Sequence, residues 1–231
     1  MKLGIFTDSH YSSQTVTCGN RYNSQSLRKI QEAYEYFQKE NCDLIVCLGD
    51  LIDHEDEKEK VIENLKAVAE VIRNTPIPSV CMMGNHDAFT LEVEEFYRIL
   101  GTPKSEELLL NGCRLLFLDA CYLKSGRHYQ PGDDDWTDTY YPFEERLQEK
   151  LRNAKEKCYV FLHQNIDPAI PEDHRLWNDE ALFRMINESG VVKTVFQGHY
   201  HPGCRSEYAG VPYIALPAMC VNEGAYFVFE L

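Results

Sequence analysis

Five apolar segments of the sequence each end in side chains that can bind metal ions or transfer protons. In chain order, these side chains are Asp8 and His10, Asp50 and Asp53, Asn85 with His86 and Asp87, His163, and His199 with His201. Carboxylates, imidazoles and an amide, without a thiolate, suit manganese, iron, zinc or cobalt better than calcium or magnesium alone. They are too many for one ion. The set therefore predicts two ions ~3.5–4 Å apart that share a carboxylate and activate water for phosphoryl transfer.

Each of the five endings has an ordinary structural explanation when it is taken alone. An Asp-x-His pair is commonly a surface turn, and a Gly-Asp-x-x-Asp segment commonly forms a turn and caps a helix. A single histidine after a strand is commonly a buried, hydrogen-bonded side chain. However, the endings recur at five strands in one chain and contain five of the eight histidines. Their conjunction favours metal binding over five separate coincidences.

The elements that position these side chains alternate between short apolar runs and longer amphipathic segments, which predicts an α/β fold. Strands are predicted at 3–6, 43–48, 78–83, 113–120, 158–162 and 192–196. Apolar residues at helical spacing predict helices at 24–40, 57–74, 90–100, 142–154 and 178–189, the third opening at Thr90 and the fourth at Pro142. Loops after the carboxyl ends of strands converge in such folds, so we expect the five endings to meet.

The end of the sequence has a different pattern. Residues 204–216 read as a hairpin that turns at Ala209–Gly210, and residues 225–231 read as a last strand. No internal repeat or linker divides the chain. We therefore expect residues 1–231 to form a single domain.

The composition limits the kinds of partner that the chain can have. Hydrophobic residues make up 44% and charged residues 26% of 231 residues, as in globular proteins. The formal net charge of −14 argues against a basic surface that holds long nucleic acid. No apolar run approaches the ~20 residues that span a bilayer, and the first residues do not resemble a signal peptide. Nine cysteines without a C-x-x-C pair fit the cytoplasm.

The five endings together resemble a known family. DSH, GDLID, GNHD, the single His163 and GHYH are similar, in the same order, to the five motif blocks of the calcineurin-like metallophosphoesterases. They span Asp8 to His201, nearly the whole chain. The resemblance implies a four-layer α/β/β/α sandwich, and the predicted hairpin after GHYH fits its second sheet.

The resemblance also implies seven metal ligands. These are Asp8, His10 and His201 for a first ion, Asn85, His163 and His199 for a second, and Asp50 bridging both. Manganese or iron is the expected metal, with zinc as another option. Two divalent cations bring four positive charges, of which Asp8 and Asp50 neutralise two. The remaining positive field would attract an anionic substrate to an acidic protein.

The reaction that the resemblance implies is direct hydrolysis by a metal-bridging hydroxide. Metal binding lowers the pKa of water from 15.7 to about 7 in favourable sites. His86 is expected to face the substrate and to protonate the leaving oxygen, which is typically worth ~10²–10⁴ in rate. Asp53 is expected to orient His86 and to raise its pKa. Asp87 could support the ligands or cap the following turn, and the sequence favours neither.

The motif details narrow the substrate. Aspartate at the end of GNHD and the segment GDLIDHE disfavour the protein phosphatases, and the chain has no room for the capping domains of nucleases. The resemblance then points to the small phosphodiesterase and nucleotide-diphosphatase branch. That branch includes cyclic-nucleotide phosphodiesterases and manganese-dependent ADP-ribose/CDP-alcohol diphosphatases. The expected substrate is a small, nucleotide-like phosphate compound. A phosphomonoesterase, a nuclease and a protein-binding scaffold without metal chemistry are the alternatives.

Several further residues are candidates for substrate contacts. They are Arg21, Tyr22, Arg127, His128 and Arg205, each of which could equally be a solvated surface residue. Residues 121–142 lack periodicity and contain Trp136, Tyr140 and Tyr141, so we expect a loop that covers the site as a lid. We expect His54, Asp119 and His174 to be structural.

Overall fold

Two β-sheets form the centre of the computed structural model, which describes residues 1–133 and 139–231. The strands of the first sheet are β1 (Lys2–Phe6), β2 (Leu44–Cys47), β3 (Ser79–Cys81) and β10 (Tyr226–Glu230). Those of the second are β4 (Glu107–Leu110), β5 (Cys113–Leu118), β6 (Lys157–Leu162), β7 (Val192–Gln197), β8 (Cys204–Tyr208) and β9 (Val211–Ala215). The strand orders are β10-β1-β2-β3 and β4-β5-β6-β7-β9-β8.

The strands that precede the five polar endings run parallel within each sheet. In the first sheet, β1, β2 and β3 are parallel, and β10 is antiparallel to β1 at one edge. In the second, β5, β6, β7 and β9 are parallel, and β4 and β8 are antiparallel edge strands. The carboxyl ends of each parallel set therefore lie along one edge of its sheet.

Helices cover the outer face of each sheet. They are α1 (Ser26–Lys39), α2 (Lys58–Arg73), α3 (Asn85–Thr90), α4 (Val93–Leu100), α5 (Glu144–Asn153) and α6 (Asp179–Glu188). Buried residues of α1, α2 and α4 pack with the first sheet, and those of α5 and α6 pack with the second. Among the described residues, no helix is long and apolar enough to cross a membrane.

Alternation along the strands builds the core between the sheets. Leu3 and Ile5 of β1 belong to the same inner core as Phe161 of β6, while Phe6 belongs to the core on the helix side. Gly4 lies against α1 so closely that an added Cβ would be 2.4 Å from Phe37 Cγ. Since apolar residues of each sheet fill both its faces, the layers are helix, sheet, sheet and helix. The predicted four-layer sandwich is confirmed.

Two predictions about local structure need correction, and one strand was not predicted. The helix that was expected to open at Thr90 is instead two short helices, because the Thr90 hydroxyl donates to the carbonyls of His86 and Asp87 and Leu91 is extended. Strand β4 was not predicted, since its run of leucines shows no alternation. Pro142 precedes α5, which begins at Glu144. The predicted hairpin with its turn at Ala209–Gly210 is present as β8 and β9.

Part of the predicted lid, residues 134–138, lies outside the described residues. Trp136 lies outside the described residues. Tyr141 is buried in the cluster that joins the second sheet to α5 and α6, and Tyr129 is 1% exposed. Tyr122 forms bridges to both His128 and Tyr140, so the two described ends of the loop pair with each other. The lid remains a prediction.

Candidate metal centre

The carboxyl edges of the two sheets meet and bring seven predicted ligands together. The first sheet contributes Asp8, His10, Asp50 and Asn85, and the second contributes His163, His199 and His201. Five of these seven residues are less than 5% exposed, His199 is 9% exposed, and His201 is partly exposed. Polar groups this deeply buried need partners, which are protons, hydrogen bonds or cations.

One group of ligand atoms lies around Asp8. His10 Nε2 and His201 Nε2 are 3.2 Å apart, and they lie 3.6 and 3.4 Å from Asp8 Oδ1. Among the described residues, Asp8 Oδ1 has no hydrogen-bond partner although it is buried. Two imidazole nitrogens that face each other beside an unpartnered carboxylate oxygen fit a bound cation.

A second group lies around His163. Its Nε2 is 3.1 Å from both Asn85 Oδ1 and Asp50 Oδ2. The His199 ring lies 5.2 Å from the His163 ring, centroid to centroid. Asp50 Oδ2 is also 3.5 Å from His10 Nε2. Asp50 therefore lies between the two groups, where a bridging ligand would be.

The electrostatics of the cluster favour bound positive charge. Burial opposes ionisation of Asp50, but His163 and the neighbouring imidazoles hold the pKa of that carboxyl well below its usual range. Although burial opposes its charge too, the Asp50 carboxylate raises the pKa of His163 to about 9. Burial and the nearby His86 lower the pKa of His10 to about 4. Buried carboxylates surrounded by imidazoles are the donor set that borderline divalent cations prefer.

Two glycines allow the loops that carry the ligands to approach each other. A Cβ on Gly84 would lie 2.1 Å from Asp50 Oδ1, and one on Gly198 would lie 2.2 Å from Thr7 Oγ1. The His86 N–H also donates to Asp50 Oδ1, at 2.9 Å. The glycines of GNHD and GHYH are thus required by close packing between the turns.

His86 and Asp53 form a pair beside the two groups. His86 Nδ1 is 2.8 Å from Asp53 Oδ1, and Asp53 Oδ2 accepts a hydrogen bond from Asn23 Nδ2 at 2.9 Å. Burial lowers the pKa of His86, but Asp50 and Asp53 outweigh it and raise that pKa overall. The His86 side chain is 27% exposed, and its Nε2 lies 3.3 Å from Arg21 Nη1.

Asp87 takes both of the roles between which the sequence could not choose. Its Oδ2 accepts hydrogen bonds from the N–H groups of Gly84 at 2.9 Å and Leu51 at 3.2 Å. Its Oδ1 accepts one from the Ile52 N–H at 3.1 Å. Asp87 therefore caps α3 and also ties the GNHD turn to the GDLID turn.

A cavity of about 600 Å³ opens beside these groups. Asp50, Asn85, His199 and His201 form its floor together with His86 and Asp53. Other described residues of its wall are Cys18, Asn20, Arg21, His54, Phe89, Tyr129, Asp133, His174, Tyr200 and Pro202. Its volume is in the range of pockets that hold nucleotide-sized ligands.

The structure brings one of the five predicted substrate contacts to this cavity. Arg21 lines it, whereas the neighbouring Tyr22 is 42% exposed and does not. Arg127 forms an ion pair at 2.8 Å with Asp133, which itself lines the cavity. His128 pairs with Asp119 at 3.1 Å, and Arg205 is exposed on β8. Tyr22, Arg127, His128 and Arg205 are not among the described residues that line the cavity, and their substrate contacts stay predictions.

Some residues of the site carry no recognisable sequence signal. Asn23 is fully buried and links the His10 carbonyl to Asp53. Cys220 lies in the loop between β9 and β10, and its sulfur groups with His10 and His201. His54 and His174 were expected to be structural, but both line the cavity. By contrast, Phe89 lies two residues after GNHD and Tyr200 lies within GHYH, and this is the one signal that could have identified them.

Sequence comparison gives a family match over most of the chain. The profile described as Calcineurin-like phosphoesterase matches residues 1–203. A probable cyclic nucleotide phosphodiesterase of Psychrobacter arcticus is 26% identical over 234 aligned residues, covering 93% of this chain and 78% of that protein. The 3',5'-cyclic adenosine monophosphate phosphodiesterase CpdA of Haemophilus influenzae is 26% identical, covering 86% and 67% respectively.

Structural comparison supports the same fold. The crystal structure of a dimetal phosphatase from Danio rerio superimposes with a TM-score of 0.81 at 17% identity. The match covers 95% of this chain and 88% of that one. At this identity the likeness concerns the arrangement of the sheets and helices.

Proposed function

Because the chain belongs to the calcineurin-like phosphoesterase family, we propose that it hydrolyses a phosphodiester or diphosphate bond in a small, nucleotide-like substrate. The resemblance drawn from the five motifs is thereby confirmed, and the chain is a phosphate-ester hydrolase. The bond that it cleaves, the substrate, the metals and the roles of individual residues form the proposal.

We propose a centre for two divalent cations at the joined edges of the sheets. Asp8, His10 and His201 would hold one, and Asn85, His163 and His199 the other, with Asp50 shared. The amide of Asn85 adds an oxygen ligand without adding negative charge, so the centre stays positive towards phosphate. Manganese or iron is the proposed metal, with zinc as the alternative.

At such a centre, two divalent cations supply a water of lowered pKa and neutralise charge on phosphoryl oxygens. The chain itself supplies a proton donor for the leaving oxygen. Asp53 holds the Nδ1 side of the His86 ring, so Nε2 is the atom that faces the cavity. Arg21 Nη1 lies 3.3 Å from that nitrogen and can contact the anionic substrate at the same place.

The proposal depends on one observation. The group of ligands around Asp8 and the group around His163 both open onto one cavity of about 600 Å³. Phosphate would lie at the floor, where Asp50, Asn85 and His201 are. Phe89 and Tyr200 provide aromatic walls of the same cavity, against which the base of a nucleoside would lie. The names of the two curated relatives favour a cyclic nucleotide, whereas the sequence also resembles diphosphatases.

A substrate panel with added Mn²⁺ tests the proposal. The compounds are bis-p-nitrophenyl phosphate, p-nitrophenyl phosphate, cyclic AMP, ADP-ribose and CDP-choline. We expect the diester to be cleaved with a higher kcat/KM than the monoester, and one nucleotide compound to exceed both. The Asp50→Asn variant is the control, which should lose metal and activity together.

The alternatives predict different results from the same panel. Preference for the monoester would replace the proposal with a phosphomonoesterase. A purified chain that binds no metal and cleaves no compound would favour the protein-binding scaffold. Normal metal content and turnover in Asp50→Asn would contradict the bridging role of Asp50.

A further inference from the structure

The Cys220 thiol lies against the first group of proposed ligands. Its sulfur and one ring nitrogen each of His10 and His201 all lie within 4.8 Å of one another. We propose that Cys220 is an additional, thiolate ligand of the cation held by His10 and His201. This inference rests on the metal centre of the proposed function and adds a sulfur donor to its first cation.

Backbone hydrogen bonds fix the place of Cys220 relative to two proposed ligands. The Cys220 N–H donates to the Asp8 carbonyl at 2.9 Å, and the Ala218 N–H donates to the His201 carbonyl at 3.0 Å. The loop after β9 therefore runs along the ends of both β1 and β7. Because Cys220 is fully buried, its thiol faces the ligands from within the protein and not from the cavity.

A buried lysine holds the same loop in place. Lys29 of α1 is 1% exposed, and its Nζ donates to the carbonyls of Met219 at 2.9 Å, Asn222 at 3.3 Å and Cys220 at 3.5 Å. Burial of an ammonium group is unfavourable unless hydrogen bonds compensate for lost hydration. The three carbonyls provide these hydrogen bonds to Lys29, and the same bonds hold the loop that carries Cys220.

An independent observation points to a cation at this place. Asp8 Oδ1 is fully buried and has no hydrogen-bond partner within residues 1–133 and 139–231. It faces His10 Nε2 at 3.6 Å and His201 Nε2 at 3.4 Å, the two side chains with which Cys220 also groups. The carboxylate oxygen of Asp8 and the sulfur of Cys220 thus both lie beside the same pair of histidines.

Ligation changes the protonation of the thiol and the choice of metal. When the sulfur binds a cation, the S–H proton is released to solvent, since coordination deprotonates a thiol. Thiolate sulfur favours zinc, cobalt or iron over manganese or magnesium. Among the described residues, the second group around His163 offers no sulfur. The two positions should therefore differ in metal preference, with the softer metal at His10 and His201.

Cobalt substitution tests this inference by spectroscopy. Co²⁺ bound to the wild-type protein should show a thiolate-to-cobalt charge-transfer band in the near ultraviolet. The Cys220→Ser and Cys220→Ala variants should both lack the band while retaining the wild-type circular dichroism spectrum. The matched control is Cys18→Ser, because Cys18 is an exposed thiol that lines the cavity, and this variant should keep the band.

A competition measurement gives a second readout. The preference for Zn²⁺ over Mn²⁺ should fall by about tenfold or more in Cys220→Ala, on the scale by which groups around a metal tune its affinity.

A wild-type protein that binds Co²⁺ without the band would overturn the inference, as would a band that persists in both Cys220 variants. If the diester is still hydrolysed in that case, the proposed function stands. A chain that neither binds metal nor hydrolyses would refute both.

Discussion

Four of the proposed ligand residues hold their backbone in the left-handed region. Asp8, His10, Asp50 and His199 have φ angles of 53°, 44°, 53° and 63°. Such a conformation costs roughly 1–3 kcal/mol for a residue other than glycine and persists where its surroundings enforce it. Here the Asp8 N–H donates to the Gly49 carbonyl and the His10 N–H to that of Asp50, at 3.0 and 2.9 Å. The strained turns therefore hold one another and set the directions of the ligands.

His86 is expected to act on the substrate and not on the metals. The His86→Ala variant should lower kcat by ~10²–10⁴, the usual contribution of general acid catalysis, while metal content stays unchanged. The measurements are steady-state kinetics and elemental analysis of the purified protein. His54→Ala is the matched control, because His54 also lines the cavity but its ring contacts Phe89 and not the Asp53 carboxylate. Loss of metal from His86→Ala would make His86 a ligand.

The site residues that could be predicted from the sequence come after apolar runs, and those that could not be predicted do not. Asp8, His163 and His199 follow apolar runs, so the edge of a sheet could be expected to collect them. Asn23 and Cys220 come from loops whose path depends on the whole fold. Their side chains reach the site through tertiary contacts that leave no local pattern.

Helix α1 affects the site through a single buried side chain. Lys29→Met should lower the free energy of unfolding by about 2 kcal/mol, because the carbonyls of the Cys220 loop would lose a charged donor in a buried place. Urea denaturation measures this change. Lys39→Met, on the exposed side of the same helix, is the control and should have little effect. Equal stability of the two variants would mean that Lys29 does not hold the loop.

Periodicity predicted the long elements better than the short ones. The predicted helices at 24–40 and 57–74 correspond to α1 and α2, since each has a buried stripe at helical spacing. By contrast, α3 has six residues and begins at Asn85, where the sequence suggested a ligand turn. Hydrogen bonds of Asp87 and Thr90, and not an apolar stripe, determine where α3 begins and ends.

At the scale of the molecule, the proposed ions would link the two sheets. Asp8, Asp50 and Asn85 belong to the first sheet, and His163 and His199 to the second. Binding to the folded chain stabilises it by about 2.7 kcal/mol at a concentration of 100 Kd. We expect Mn²⁺ or Zn²⁺ to raise Tm by about 5–10 °C for a chain of this size, as measured by calorimetry.

Two comparisons check this stabilisation. A chelator should return Tm to its starting value. Asp50→Asn should show a smaller rise than the wild type, because it weakens the ligand shared by both ions. An unchanged Tm in the wild type at saturating metal would contradict a centre that joins the sheets.

The pairing of β1 with β10 has a consequence for the newly made chain. Phe6 lies opposite Tyr226, about 220 residues later, whereas β1, β2 and β3 are all translated within the first 81 residues. From the end of β3 at Cys81 to Tyr226 the ribosome adds 145 residues, which takes about 7–29 s at ~5–20 residues per second. For that time β1 has an open edge on a sheet whose other strands are present, a state prone to wrong pairing. Nascent chains stalled before residue 226 should therefore recruit chaperones more strongly than those stalled after the last strand has left the exit tunnel.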